Sequence, residues 1–547
     1  MRKNIKKTIK AEERTAITTF LPHKFEYNPF EKIESKANSG LKTSFTKVLD
    51  FSFPDDVDED MAQIGEVIYI GDGVCKVAGL PNAKMEDIIL VNTEKGKERA
   101  MILGIDDTHL ESVVLGDYRN IKQGDQVMAT NSQLKVKAGK SVLGRVINPL
   151  GEPLDGKGGI KAENLRDVEF AAPSVMMRMP IYDPLLTGVM VVDATIPIGK
   201  GQRELVIGDR KTGKSRLALD IICNQKGQDI ICVYVGVGIQ AAKAKAAMQL
   251  LEERKALDYC CMVLSMSDEP PSLQYMAPYV GVAIAEHFMY QGKHCLVVFD
   301  DLSKQAKAYR EVSLLLKRSP GRDAYPGDIF FLHSRLLERV AKVSEKIGAG
   351  SITSLPIAET QAGDVSDYII TNLMSITDGH IFLDANMMHE GILPAVNSGL
   401  SVSRIGSKVQ GPMLRKMGEL TGRALARYQE VKSFETMNTE VAEETLRDIK
   451  RGKVVTEILA QPSATSYAPQ EQVIMLYLAT SGKLDKFELK QIGKFSVEFT
   501  KHIRSNIDEA LIEKCNKLSE PKEIEDEVMA LFNEFMKSHE EYLEKTE

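Results

Sequence analysis

The stretch Gly208-Asp209-Arg210-Lys211-Thr212-Gly213-Lys214-Ser215 constrains this chain more than any other. It reads G-x-x-x-x-G-K-S, the P-loop pattern, between a short apolar run at 203–207 and a segment with Leu217, Ala218, Ile221 and Ile222 at helical spacing. Such a loop works only where a strand delivers the backbone and a helix carries it away. Its backbone N–H groups wrap phosphates, the glycines let the backbone curl closely, and the following helix aims its positive end at the anion. Lys214 is placed to pair with phosphate, and the Ser215 hydroxyl suits Mg²⁺. The chain is therefore expected to contain an α/β domain that binds a nucleoside triphosphate.

Around this loop the pattern shifts with position. Residues 1–62 are polar and irregular, ending in the acidic cluster Asp55-Asp56-Val57-Asp58-Glu59-Asp60, and read as an N-terminal extension. Residues 63–137 hold short β-type runs separated by turns, which predict a small antiparallel β-barrel. From 138 to 412, strand-like runs (205–207, 230–235, 262–264, 295–299, 351–357) alternate with helical stretches, predicting a largely parallel sheet between helices. Residues 413–547 lose the strand signal and read as an α-helical domain, with helical segments at 413–431, 440–451, 469–479 and 523–542.

Composition excludes some classes. At 547 residues with 43% hydrophobic and 27% charged content, the chain suits a globular multidomain protein. It contains no run of eighteen apolar residues, so membrane contact is expected only through partners. The net charge of −7 argues against nucleic-acid binding. Seven cysteines without a C-x-x-C pair read as buried free thiols in a reducing compartment. Arg2, Lys3, Lys6, Lys7 and Lys10 resemble the start of an organelle-targeting segment, the alternative being a solvated basic tail.

Two further features bear on chemistry. The apolar run 295–299 ends in Asp300, a carboxylate suited to hold Mg²⁺ through water beside a P-loop. Hydrolysis also needs a group that orients water, usually on the strand after the P-loop helix. No acid occurs between Asp229 and Glu252, so the pocket is expected to hold phosphates without splitting them. A distant acid such as Glu359 folding back is the less favoured alternative. Without context, Arg404, after the Ser- and Gly-rich run 394–403, would read as a surface arginine.

Together these motifs resemble the α-subunit family of rotary F-type ATP synthases. The resemblance rests on 208–215, Asp300-Asp301-Leu302-Ser303-Lys304-Gln305-Ala306, 320–328, 333–339, 359–366 and 394–403, in one order from about Ile64 to the last helices. It implies a β-barrel crown, a RecA-like P-loop domain and a helical C-terminal domain. It also implies a ring alternating with catalytic β subunits around a γ-type shaft, with peripheral-stalk partners at the N-terminal region. In such a machine proton flow drives ATP formation from ADP and phosphate. The α pocket would be non-catalytic, holding ATP or ADP with Mg²⁺ through Gly208 to Ser215, Asp300 and Gln461. Arg404 matches the arginine finger offered in trans to the β site, and Ser375 lines that interface. The long basic N-terminus favours the mitochondrial inner membrane, matrix side, over bacterial or plastid alternatives.

The sequence departs from the family pattern at Lys211 (usually Gln), Ile239 (usually Gln at the magnesium shell), Leu393 (usually Arg) and Ser463 (usually Gln beside the adenine). Each lost hydrogen bond removes about 0.5–1.5 kcal/mol, predicting a weakly occupied or empty pocket. Other readings are a catalytic hexameric ATPase of a flagellar or secretion export system, a hexameric RNA translocase, and a catalytic β subunit. The missing acid opposes the first and last, and the acidity of the protein opposes the second.

Overall fold

The computed structural model describes residues 63–161, 163–435, 443–463, 465–539 and 542. The expected extension, its basic start and its acidic cluster lie outside these residues. The first element is a closed barrel of six antiparallel strands in the order β1-β2-β5-β4-β3-β6. They are β1 (Ile64–Gly71), β2 (Val74–Ala78), β3 (Asp87–Thr93), β4 (Gly96–Ile105), β5 (Leu110–Val114) and β6 (Gln126–Gln133). Alternation selects the inward set: Val67, Val77, Ile89, Val91, Ile102 and Val127 share one small core. Closure leaves the sheet no free edge.

Two short ladders follow. In one, β7 (Lys135–Ala138) pairs with β9 (Asn164–Asp167); in the other, β10 (Pro184–Leu185) pairs with β11 (Ile198–Gly199). Helix α1 (Met190–Thr195) lies between β10 and β11 in sequence. The central sheet has eight strands in the order β18-β17-β12-β16-β15-β13-β14-β8. These are β8 (Val146–Ile147), β12 (Glu204–Asp209), β13 (Ile230–Ile239), β14 (Cys260–Met266), β15 (His294–Asp300), β16 (Ser351–Thr360), β17 (Gly379–Leu383) and β18 (Val402–Ser403). All neighbours run parallel except β17 and β18.

The strands read as unbroken apolar runs because both faces of the sheet are covered. Along β13, Cys232 and Tyr234 enter one core while Val233 and Val235 enter the other. Likewise Leu296 and Val298 of β15 face one way, and Cys295, Val297 and Phe299 the other. The first core takes in α2 (Lys214–Asn224) and α3 (Ala241–Glu253). The second takes in α4 (Pro271–Met289), α5 (Leu302–Leu315), α6 (Ile329–Leu337) and α7 (Tyr368–Ile376). Helix α8 (Ala385–His389) follows β17. All seven cysteines are free, six buried and Cys223 half-buried, as expected.

The C-terminal region is helical: α9 (Pro412–Glu435), α10 (Glu443–Leu459), α11 (Pro469–Thr480), α12 (Leu489–Asn506), α13 (Glu509–Lys517) and α14 (Glu525–Met536). Helices α12 and α13 add to the segments expected from sequence. Phe487, Phe495, Phe499, Phe532 and Phe535 pack together at this end, mostly edge-on or tilted, with Phe495 and Phe499 stacked at 5.2 Å between ring centroids. The helices share the first core of the sheet, and a buried polar knot ties them to it. The Asp193 carboxylate accepts from Thr187, the Gly188 N–H and the Gln472 amide at 2.6–2.9 Å. Burial pushes the Asp193 carboxyl up, against those hydrogen bonds. On the second face Arg335 joins the barrel to the sheet, meeting Glu86 at 2.5 Å and Glu169 at 3.3 Å. Among the described residues no helix is long and apolar enough to cross a membrane.

Candidate nucleotide pocket and interface edge

The P-loop leaves the C-terminal end of β12, inside the sheet. Gly208 has no room for a side chain: a Cβ there would stand 2.6 Å from the Leu383 carbonyl and 2.9 Å from Thr212 Oγ1. Gly213 takes the left-handed conformation (φ 92°) that turns the backbone into α2. Lys214 folds over the loop and its ammonium donates to the carbonyls of Gly208 (2.8 Å) and Asp209 (2.6 Å). Burial pushes its pKa down, opposed by Glu359, Asp301, Asp300 and Asp209. Asp209 turns away from the loop's mouth: its carboxylate accepts from Thr360 Oγ1 (2.7 Å) and the Gly363 N–H (2.8 Å), bracing the loop against the end of β16. Thr212 closes the turn by donating to the Asp209 carbonyl.

Arg210, Lys211, Gly213, Lys214 and Ser215 line one side of a cavity of about 700 Å³. Asp300 and Asp301 stand at the end of β15 on another side. Tyr234 donates to Asp300 at 2.8 Å, fixing that carboxylate. Asp301 caps α5 by accepting from the Lys304 N–H, and burial pushes its carboxyl up to about 6. Ser215 is exposed to the same space. Among the described residues no group of three or more His, Cys, Asp or Glu could hold a metal ion. The donors fit Mg²⁺ bound mostly by phosphate and water, with one hydroxyl added by the protein and the Asp300 carboxylate acting through water.

The acid question takes a different turn in three dimensions. Glu359, the less favoured alternative in the sequence, does line this cavity. The reason is strand order: β16 lies between β12 and β15, so its C-terminal end opens beside both. The Glu359 N–H donates to Ser303 Oγ, and its carboxylate lies 3.9 Å from Arg210. The tip of β13 itself carries no acid and presents Ile239 to the cavity.

Arg404 and Ser375 occupy the other end of the strands. Ser403 of β18 pairs with Gly379 at the start of β17, which is level with Glu204 at the start of β12. The Arg404 N–H donates to the Asp378 carbonyl, and the Asp378 N–H to the Arg203 carbonyl. Arg404 is thus level with Arg203, five residues or about 16 Å along the strand direction from Gly208, and two strands to one side. It is exposed, has no ion pair among the described residues, and lines a separate cleft of about 410 Å³ with Arg203, Asp378 and Lys408. Asp378 is locked by a two-pronged Arg203 contact at 2.9 and 3.0 Å. Ser375, exposed at the end of α7, donates to the Asn372 carbonyl and stands three residues before Asp378. The fold therefore gathers Ser375 and Arg404 on one edge and Gly208–Ser215 with Asp300 on the other.

Gln461 does not line the P-loop cavity. Its amide accepts from the Met190 N–H (3.0 Å) and donates to the carbonyls of Gly188 (2.9 Å) and Thr465 (2.7 Å). Its backbone N–H reaches the Leu393 carbonyl, so a residue that keeps the family pattern neighbours one that departs from it. Leu393 and Ser463 are both exposed. Sequence reasoning missed Tyr234, Gln240, Lys243 and Lys304, all of which line the cavity. Gln240 and Lys243 could have been found, since they follow the tip of β13 at the start of a helix; Tyr234 could not, being a buried strand residue.

Family models match most of the described residues. The beta-barrel domain of the ATP synthase alpha/beta family matches residues 60–131 and its nucleotide-binding domain residues 188–403. The C-terminal domain of the family's alpha/beta subunits matches residues 410–539. The ATP synthase subunit alpha of Petrotoga mobilis is 42% identical over 490 residues, covering 89% of this chain and 96% of that protein. The ATP synthase subunit alpha of Streptococcus mutans is 46% identical over 447 residues, covering 82% of this chain and 89% of that protein.

Proposed function

Because this chain belongs to the ATP synthase alpha/beta family, among the F-type α subunits, we propose that it is the non-catalytic, regulatory partner of catalytic β subunits in a proton-coupled rotary synthase. It alternates with them around a γ-type shaft, and its N-terminal region meets the peripheral stalk. Its own pocket holds ATP or ADP weakly. Its part in the reaction is Arg404, presented with Ser375 to the nucleotide of a neighbouring subunit.

One observation carries this reading: Arg404 and the P-loop stand at opposite ends of the sheet, about 16 Å apart along the strand direction, with the guanidinium exposed and without an ion pair among the described residues. An arginine so placed has no access to the nucleotide of its own subunit. A planar guanidinium meets two phosphate oxygens at once and stays charged at any working pH. Held by the Asp378 carbonyl behind it, Arg404 stabilises the charge that develops as the terminal phosphoryl group transfers, without itself changing protonation.

In the P-loop pocket Lys214 and the loop N–H groups orient the phosphates. Mg²⁺, held by Ser215 and through water by Asp300, would screen phosphate charge there. The tip of β13 supplies no acid to orient water, Ile239 is apolar where the family usually has Gln at the magnesium shell, and Glu359 faces Arg210. The mitochondrial assignment rests on residues outside the structure; the two relatives are bacterial, which favours the bacterial alternative. An ATPase assay of the purified protein tests the reading. We expect no turnover above background without β subunits, and robust turnover by this subunit alone would overturn it.

A further inference from the structure

The P-loop cavity has a second basic wall. The start of α3 lines the same cavity: Gln240, which caps the helix, and Lys243, Ala246 and Ala247 from its first two turns. The first N–H bonded within this helix is that of Ala244, which reaches the Gln240 carbonyl. The N–H groups before it point out of the helix, as at any helix start. No acid stands in this turn; a lysine does. A cation at the positive end of a helix opposes the helix dipole, so Lys243 works against the stability of α3 unless an anion lies before it.

The charges around the cavity show which cations are uncommitted. Arg210 faces Glu359 at 3.9 Å, Lys304 faces Asp301 at 3.7 Å and Arg216 faces Asp220 at 3.1 Å. Lys211, Lys214 and Lys243 have no carboxylate within ion-pair distance among the described residues, and all three line the cavity. Lys214 is bound to its own loop, and Lys211 projects from the loop at φ 67°. Lys243 alone of the three comes from α3. Ile239, at the tip of β13, lines the same cavity with a side chain that is buried and unable to hydrogen-bond. Ile239 offers no polar side-chain contact at the strand tip, and Lys243, four residues on, brings an ammonium to the lining of the same cavity.

We propose that Lys243 binds the terminal phosphate and makes this pocket prefer nucleoside triphosphate over diphosphate; the proposal rests on the P-loop pocket being a nucleotide site. A diphosphate anchored on the loop stops short of α3, so the lysine distinguishes the two ligands by reach. A merely structural lysine would affect both alike.

The test is calorimetric titration of the full-length protein with Mg·ATP and Mg·ADP, for the natural protein, Lys243→Gln and Lys243→Arg. A charge-assisted contact of this kind is worth about tenfold or more in affinity. Lys243→Gln is expected to weaken ATP about tenfold, leave ADP within twofold and collapse the ATP/ADP ratio. Lys243→Arg is expected to retain most of that ratio. Thermal unfolding of Lys243→Gln should show no loss of stability, since the variant removes a cation from a helix N-terminus. An unchanged ratio, or equal weakening of both ligands, would overturn the role of Lys243 alone. Failure of the natural protein to bind either nucleotide would overturn this proposal together with the pocket assignment beneath it.

Discussion

Replacing Arg404 by alanine separates its role from those of the fold and of the subunit's own pocket. The side chain is exposed and makes no ion pair among the described residues, and the backbone N–H that bonds the Asp378 carbonyl survives the substitution. Stability should therefore change by no more than about 0.5 kcal/mol. The subunit's own pocket lies at the far end of the sheet, about 16 Å away along the strand direction, so its nucleotide affinity should hold within about twofold. Turnover of the complex reassembled with β subunits should fall by about 10³–10⁵-fold, the range for removing an arginine finger, or about 4–7 kcal/mol of transition-state stabilisation. Arg404→Lys should recover little, because lysine keeps the charge and loses the fork. Steady-state ATPase of the reassembled complex, with hexamer assembly verified by sedimentation, reads the effect. Full turnover in a correctly assembled Arg404→Ala complex would refute the finger. A parallel loss of affinity in the subunit's own pocket would refute the argument from strand polarity.

Three other outcomes follow from the geometry. Arg339 and Glu286 are both fully buried and meet at 2.7 and 2.8 Å, so Arg339→Met should cost about 3–5 kcal/mol in urea unfolding; adding Glu286→Gln should return part of it, since the buried carboxylate would keep only Arg166, at 3.2 Å, as its charged partner. Glu169 has its carboxyl pushed up to about 7 by burial, with Glu86 and Glu286 raising it and Arg335 and Arg339 opposing. Above the ordinary value of 4.5 the folded form keeps a proton that the unfolded form has lost, so this group's contribution to stability falls as pH rises from about 4.5 to about 7. The Tm of Glu169→Gln relative to the natural protein should therefore rise across that window and level off above it; a flat difference would show that Glu169 ionises normally. Gln461→Leu removes three hydrogen bonds and should destabilise by about 2–4 kcal/mol while changing nucleotide affinity less than threefold. A large affinity loss at unchanged stability would instead make Gln461 a base contact.

The order of a barrel, a P-loop sheet and a helical end was legible in the sequence because each announces itself locally. Short β-type runs separated by turns mark the barrel strands, and a glycine-rich turn between an apolar strand and an amphipathic helix admits one geometry. The identity of the phosphate loop, and the likeness of Asp300 to a strand-end carboxylate, came from the same short-range logic. What sequence spacing left open was every relation that depends on strand order. Glu359 is 151 residues beyond Gly208, yet β16 is inserted beside β12 and brings it to the phosphate cavity. Lys243 reaches that cavity because β13 lies two places from β16 and ends pointing the same way. Arg404 stands away from it because β18 alone runs antiparallel and returns the backbone to the opposite end of the sheet. Local residue choice decided which pieces form. The lateral order and polarity of the strands, set by burying both faces of one sheet, decided which charges share a pocket and which face a neighbour.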